Sequence, residues 1–281
     1  DVYDDVVASV LGKILNIELE NYSDLNHHKC HASLAFYNSG FEEAIVFVID
    51  RNGSIFFNNG RNMGRESESV YQVSYPCNFK ELYKSFWSRK GFSTDVIDAI
   101  NNYYDAEVNV HNMVSIIKAY EAATVLLGEH PIENGKTMGL SAYGRDIEYF
   151  PLFINGSPIV NYFSAMDGLH DESFTCFRGY EHMNGRMEKD NWLLYADKAK
   201  HVQLETQKES LRLIEKYVNK TGIKNVCVVG GYGLNVVANN YYIKNLPDVN
   251  FYFEPVADDS GITIGASMLK YGRVDTVISP S

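Results

Sequence analysis

Asn225–Val229 (NVCVV) is an apolar run that ends abruptly in Gly230-Gly231-Tyr232-Gly233-Leu234-Asn235. Such a run, rich in β-branched residues and closed by glycines, reads as a buried strand entering a tight turn. Val236–Tyr242 then reads as a helix, Val249–Phe253 as another strand, and Asp258-Asp259-Ser260-Gly261 as the opening of a last helix, Ile262–Tyr271. Far upstream, Glu43–Ile49 (EAIVFVI) is a strand, Asp50-Arg51-Asn52-Gly53 a turn and Ser54–Phe57 a returning strand, a predicted hairpin. A strand–turn–helix unit late in the chain and an early hairpin together indicate an α/β protein.

Between these landmarks the reading is coarser. Val2–Asn16 has helical apolar spacing, and Asp24 or Asn26 can cap a short helix reaching Tyr37. Val70–Tyr75 reads as a strand, Phe79–Phe86 and Val114–Leu127 as helices, and Lys136–Gly144 as a glycine-containing loop. Trp192–Lys220 reads as a long helix or a pair, closed by Gly222. Residues 146–190 show no sustained period and are expected to be an irregular insertion or small subdomain; its His170, Arg178 and His182 suggest no partner.

At 281 residues and 45% hydrophobic the chain can bury a sizeable core, and a formal net charge of -11 gives no electrostatic footprint for nucleic acid or an anionic membrane. No apolar run approaches the roughly 20 residues of a membrane span. The opening DVYDDVVASVLG is no signal peptide, and Cys30, Cys77, Cys176 and Cys227 are scattered without a CxxC pair. This pattern indicates a reducing, cytoplasmic setting.

Five segments can carry chemistry. In His27-His28-Lys29-Cys30-His31, His27 and His31 are four apart, which on a helix lets two neutral imidazoles converge on a transition metal. His28 and His31 offer a second pairing, and a plain helix start with capping histidines is the simpler alternative. Asp258 or Asp259 can complete a two-histidine, one-carboxylate shell that leaves positions open for substrate oxygen, or merely cap a helix. Gly230, Gly231, Leu234 and Asn235 form a turn whose backbone can approach a phosphate or nucleobase. No Lys-Ser/Thr follows it, so it is not a Walker loop, nor is it a GxGxxG fingerprint. Lys136, beside flexible backbone, can hold a phosphate as a point charge. Asp50-Arg51-Asn52-Gly53-Ser54, by itself, is an ordinary turn.

Taken in order, HHKCHASLAFYNSGFEEAIVFVIDRNG, NGKTMGLSAYG, NVCVVGGYGLNVVANN and EPVADDSGITIGAS resemble the O-carbamoyltransferases of nodulation-factor and antibiotic biosynthesis, in their N-terminal transferase domain from its middle to its end. The resemblance implies an actin-like, two-lobed α/β fold with an incomplete first lobe. Residues 1–145 would be the rest of that lobe and 191–281 the second. It implies a divalent metal, iron first and zinc or manganese next, on His27, His31 and Asp259. It places Gly230, Gly231, Leu234 and Asn235 beside the nucleotide, and Lys136 and Asp50–Ser54 near the cleft without a firm role.

The implied reaction has two stages. Carbamoyl phosphate and ATP give carbamoyladenylate in a YrdC-like domain, and the carbamoyl group then passes to a small-molecule hydroxyl in the metal-bearing domain. His28 is the candidate for the base that takes the hydroxyl proton. The family's His-Asp-Ser-Ser strand and its GPRALG-type YrdC-like stretch are absent from the sequence, so the chain is expected to be a fragment, a split subunit or a degraded relative. Rival readings are a tRNA threonylcarbamoyl transferase, against which the acidic charge and KTMGLSAYG argue, a non-catalytic actin-like nucleotide-binding module, and a sugar kinase of the same superfold.

Overall fold

The computed structural model describes residues 10, 13–14, 25–58, 61–88, 91–111, 115–147, 151–154, 157–158 and 192–272. Most of the helix expected over Val2–Asn16, nearly all of the 146–190 segment, and Cys176 therefore lie outside the described residues.

Helix α1 (His27–Ser39) begins at Asn26, whose side chain accepts from the Lys29 amide, and ends at Gly40 in the left-handed region. Strands β1 (Glu43–Ile49), β2 (Ile55–Asn58), β3 (Arg61–Ser74) and β4 (Asn78–Trp87), helix α2 (Thr94–Tyr103), strand β5 (Glu107–His111), and helices α3 (Ile116–Leu126) and α4 (Asn134–Ser141) follow. After the small pair β6 (Phe153–Ile154) and β7 (Ser157–Pro158) come helix α5 (Trp192–Thr221), β8 (Asn225–Val229), α6 (Val236–Asn245), β9 (Asn250–Phe253) and α7 (Ile262–Tyr271). The main sheet runs β5-β4-β3-β1-β8-β9, with β2 also on β3. β1, β8 and β9 are parallel to one another, while β3 is antiparallel to β1 and to β4.

The two central strands are buried on both faces, which is why they read as continuous apolar runs. Ile45, Phe47 and Ile49 with Val226 and Val228 face α3 and α5, where Ala119, Ala123, Val202 and Tyr217 meet them in one core. Val46 and Val48 with Cys227 and Val229 face α1 and Met268 of α7 in the other. On that second side α1 and α7 approach so closely that a Cβ on Gly265 would lie 2.0 Å from the Cys30 carbonyl oxygen.

Three expectations are corrected. Residues 43–49 and 54–57 do not form a hairpin. β1 and β2 lie end to end along the long β3, held across the gap by Asp50 N to Ser67 O at 2.9 Å and Gly53 N to Glu66 O at 2.8 Å. Residues 79–86 are a strand, not a helix. A register shift leaves Leu82 unpaired beside Tyr83, so both enter the same core. The resulting spacing of Phe79, Leu82, Tyr83 and Phe86 imitates a helical stripe. Residues 136–141 are helical, because α4 is docked through Thr137 onto Thr124 of α3, their hydroxyls 2.8 Å apart. β1 from residues 1–145 and β8 from residues 191–281 are hydrogen-bonded neighbours in the main sheet.

Candidate functional site

The carboxyl ends of the parallel strands β1 and β8 lie side by side, and each is followed at once by polar chain: Asp50 after β1, the glycine turn after β8. Such ends are where open α/β sheets place ligands. The turn Gly231–Leu234 is a single 3-10 coil that starts at Gly230, whose φ of 89° excludes other residues by strain. A Cβ there would also lie 2.4 Å from the Ile49 carbonyl oxygen. Gly230 therefore serves close strand packing and does not line the cavity described below. The Gly231 amide donates to Asp50 Oδ1 at 3.1 Å, so that amide anchors a carboxylate of the protein itself.

Asn26 starts α1 beside this point, and the His27 amide donates to Ser54 Oγ at 3.0 Å, tying the first turn to the β1–β2 gap. His27 Nε2 then lies 3.3 Å from Asp50 Oδ2 and 3.4 Å from Asp259 Oδ1, and His31 Nε2 lies 3.5 Å from the same Asp259 oxygen. One ligand atom from each of His27, His31, Asp50 and Asp259 lies within 4.8 Å of all the others. Asp259 enters from the turn before α7, where Asp258 accepts from the Ser260 amide as the cap. Four side chains from three remote segments thus converge.

The electrostatics match a cationic centre. Burial opposes ionisation of Asp50, yet the His27 contact and the neighbouring imidazoles hold its carboxyl well below the usual range. Burial alone would lower His27, but Asp50, Asp259 and Glu66 raise it. His31 is lowered, by burial first and by His27 as well, against the pull of Asp50 and Asp259. His31 is fully buried, and neither of its ring nitrogens makes a hydrogen bond. A buried imidazole whose nitrogens make no hydrogen bond is costly unless it serves as a ligand. Two imidazole nitrogens and two carboxylates are a donor set for a first-row divalent ion, so this group passes a chemical test of fit for one.

Two of the four, Asp50 and Asp259, line a cavity of about 490 Å³, within the range of small-molecule sites, while His27 and His31 stand behind them. Asp50, Arg51, Asp259 and Ser260 form a polar side, while Ile117, Tyr120, Met138 and Leu234 supply apolar wall. Of the residues expected near a nucleotide, Gly231, Leu234 and Asn235 line the cavity; Asn235 is fixed by a reciprocal pair of hydrogen bonds with Gln203. Lys136 does not. Its ammonium is turned to Glu129 and Glu133 at 2.6 and 2.7 Å on the surface, although its helix neighbours Asn134, Gly135 and Met138 reach the cavity.

His28, the expected base, lies away from the cavity. It is fully buried on the β3 side of α1, its Nδ1 2.7 Å from Ser69 Oγ, and it does not line the cavity. Burial lowers its pKa to about 3, so it stays neutral and sealed from any acceptor. Sequence reasoning missed Asp50 as a member of the cluster. Its one local signal was a carboxylate placed immediately after a strand of buried apolar residues, where nothing but a ligand or partner would hold it.

The fold and its cluster define an α/β domain with a nitrogen-and-carboxylate centre at the strand ends, opening on a ligand-sized cavity. Residues 2–268 match the family model described as Carbamoyltransferase N-terminus, and the chain belongs to that family. It is 26% identical over 255 residues to protein sll1178 of Synechocystis sp., covering 86% of this chain and 35% of that protein. It is 21% identical over 249 residues to nodulation protein NolO of Bradyrhizobium diazoefficiens, covering 87% of this chain and 38% of that protein. The chain thus spans little more than a third of these relatives. Among solved structures it shares its fold with HypF of T. kodakarensis, with a TM-score of 0.54 at 15% identity over 95% of this chain and 38% of that one. Full-length HypF in its phosphate- and nucleotide-bound form gives a TM-score of 0.50 at 14% identity over 90% of this chain and 43% of that one. Among the described residues, no helix is long and apolar enough to cross a membrane.

Proposed function

We propose that this chain carries the transfer site of an ATP-dependent O-carbamoyltransferase, moving a carbamoyl group from carbamoyladenylate to the hydroxyl of a small molecule. The observation that carries the reading is the meeting of His27, His31, Asp50 and Asp259, the two aspartates lining a ligand-sized cavity, in a chain of this family. The order β4-β3-β1-β8-β9, with β8 and β9 parallel to β1, supports reading this sheet as one lobe of an actin-like fold. The cavity is then one wall of an interlobe cleft. Carbamoyladenylate is supplied by a YrdC-like domain or subunit from carbamoyl phosphate and ATP. The nucleotide-bound state of the HypF structure supports a nucleotide in the same fold.

In this reading His27, His31, Asp50 and Asp259 hold a divalent ion, iron in the first place. Bound there, it supplies positive charge beside the phosphate of the departing AMP. The residues of the chain do the rest. Tyr120, Ile117, Met138 and Leu234 exclude water from one side of the bound nucleotide, and Gly231 fixes Asp50 by its amide. The acceptor oxygen bonds to the carbamoyl carbon as the carbon–oxygen bond to phosphate breaks and its electron pair leaves with AMP. The hydroxyl proton passes to the carboxylate of Asp258, which lines the cavity and is not one of the four residues that would hold the ion.

Metal analysis of the purified protein and calorimetry with AMP test the reading together. About one divalent ion per chain and AMP binding that depends on it are expected. A protein that holds neither metal nor nucleotide would leave only a shared fold.

A further inference from the structure

Arg51 follows the cluster residue Asp50 and turns the other way. Its guanidinium NH2 lies 2.7 Å from Glu121 Oε1, and Arg51 is the one Lys or Arg among the described residues that line the cavity. Glu121, on α3, is fully buried and already has a cation: Lys118 Nζ stands 2.9 Å from its other oxygen. Lys118 is buried as well and packs over the Trp87 ring at 5.0 Å. One carboxylate therefore faces two cations, and the triad keeps a net positive charge. Lys118 is enclosed, so the charge is presented to the cavity through Arg51, whose side chain is 41% exposed. Arg51 Nε is buried and makes no hydrogen bond, so the exposed part of the guanidinium is what faces the cavity. The ion pair with Glu121 restrains the guanidinium, which lowers the ordering cost of gripping an oxyanion.

We propose that Arg51, held in place by the buried Glu121–Lys118 pair, is the phosphate-recognition residue of the cavity. The ligand class is a phosphate monoester or adenylate. This deepens the function proposed above and rests on it for the nucleotide; the phosphate itself follows from the triad. A purely structural Arg51, serving only to neutralise Glu121, is the competing account.

The test compares AMP, adenosine and inorganic phosphate on the full-length, metal-loaded protein by calorimetry, with R51M, R51K and E121Q beside wild type and thermal melts as a check on folding. R51M should weaken AMP and inorganic phosphate about 10-fold or more while leaving adenosine unchanged, the loss of one charge-assisted contact. R51K should recover part of the loss. E121Q leaves Arg51 its own charge but removes the carboxylate that restrains it, and should cost AMP affinity less than R51M does. Raising salt should weaken AMP binding to wild type more than to R51M. Equal losses for AMP and adenosine, or no loss for either, would overturn the proposal. Wild type binding inorganic phosphate through Arg51 but neither AMP nor adenosine would leave Arg51's role standing and sink the nucleotide reading. Wild type binding none of the three would end both.

Discussion

His28 and His31 are both fully buried on the same helix, three residues apart, yet they occupy opposite chemical worlds. On an α-helix each residue turns about 100°, so His27 and His31 fall within about 40° of one another while His28 stands about 60–100° aside. That rotation is enough. His31 reaches Asp259 and leaves both nitrogens without hydrogen bonds, whereas His28 turns to β3 and bonds Ser69. Helical phase, not the density of histidines, assigns the roles in HHKCH. The lesson extends to Glu66 and Lys84, a fully buried pair 2.7 Å apart behind His28 that organises the helix start through Asn26 but never meets the cavity.

The contrast can be broken most directly at the cluster. H31A or D50N should weaken divalent-metal affinity at least about 100-fold, as loss of a direct ligand does, while H28Q leaves it within a few-fold. Competition with a chromophoric chelator measures this, and equal losses from H31A and H28Q would erase the distinction. The next effect falls on the other face. A Cβ on Gly53 would lie 2.3 Å from His28 Nε2 and 2.8 Å from Glu66 Cβ. G53A should therefore cost about 1–3 kcal/mol by overpacking, read from urea unfolding, and retain metal.

Titration sharpens the same contrast. His28 binds its proton near pH 6.5 when unfolded and only near pH 3 when folded. The unfolded state thus takes up the proton first, and the stability from a neutral His28 is full above 6.5 and declines as pH falls toward 3. Metal-free wild type should lose about 2 kcal/mol relative to H28Q between pH 6.5 and 5. A gap that stays constant over that interval would mean His28 is not neutral in the fold. His27 has the opposite sign: its pKa is raised, so its contribution is present below 6.5 and lost as pH climbs through the folded value. The smallest effect is expected at Lys136, whose ammonium is engaged by Glu129 and Glu133. K136M should leave AMP binding within about twofold of wild type, and a larger change would restore it to the nucleotide site.

Much of the central α/β layer was legible because both faces of β1 and β8 are buried, which writes the strands as apolar runs bounded by turn residues. β4 was not, because the unpaired Leu82 breaks two-residue alternation and leaves a helical-looking stripe. α4 was not, because a glycine-containing helix depends on its dock against α3 and α5 rather than on propensity. The site divides in the same way. The HxxxH spacing and the aspartate pair are local patterns, and the structure brings His27, His31 and Asp259 together. Asp50 was hidden because Asp-Arg-Asn-Gly carries turn chemistry, and β3, 11 or more residues onward, decides that it is a gap between collinear strands instead. No local pattern announces that the β8 turn will offer its Gly231 amide to that carboxylate.

The contact between Gly265 and the Cys30 carbonyl makes α1 and α7 a calliper. His31 rides one jaw and Asp259 stands at the hinge end of the other, so the gap between imidazole and carboxylate is set by how near two backbones can come. A single methyl group at position 265, which is not among the cavity's lining residues, would spread the jaws and detune the centre without altering any of its four members.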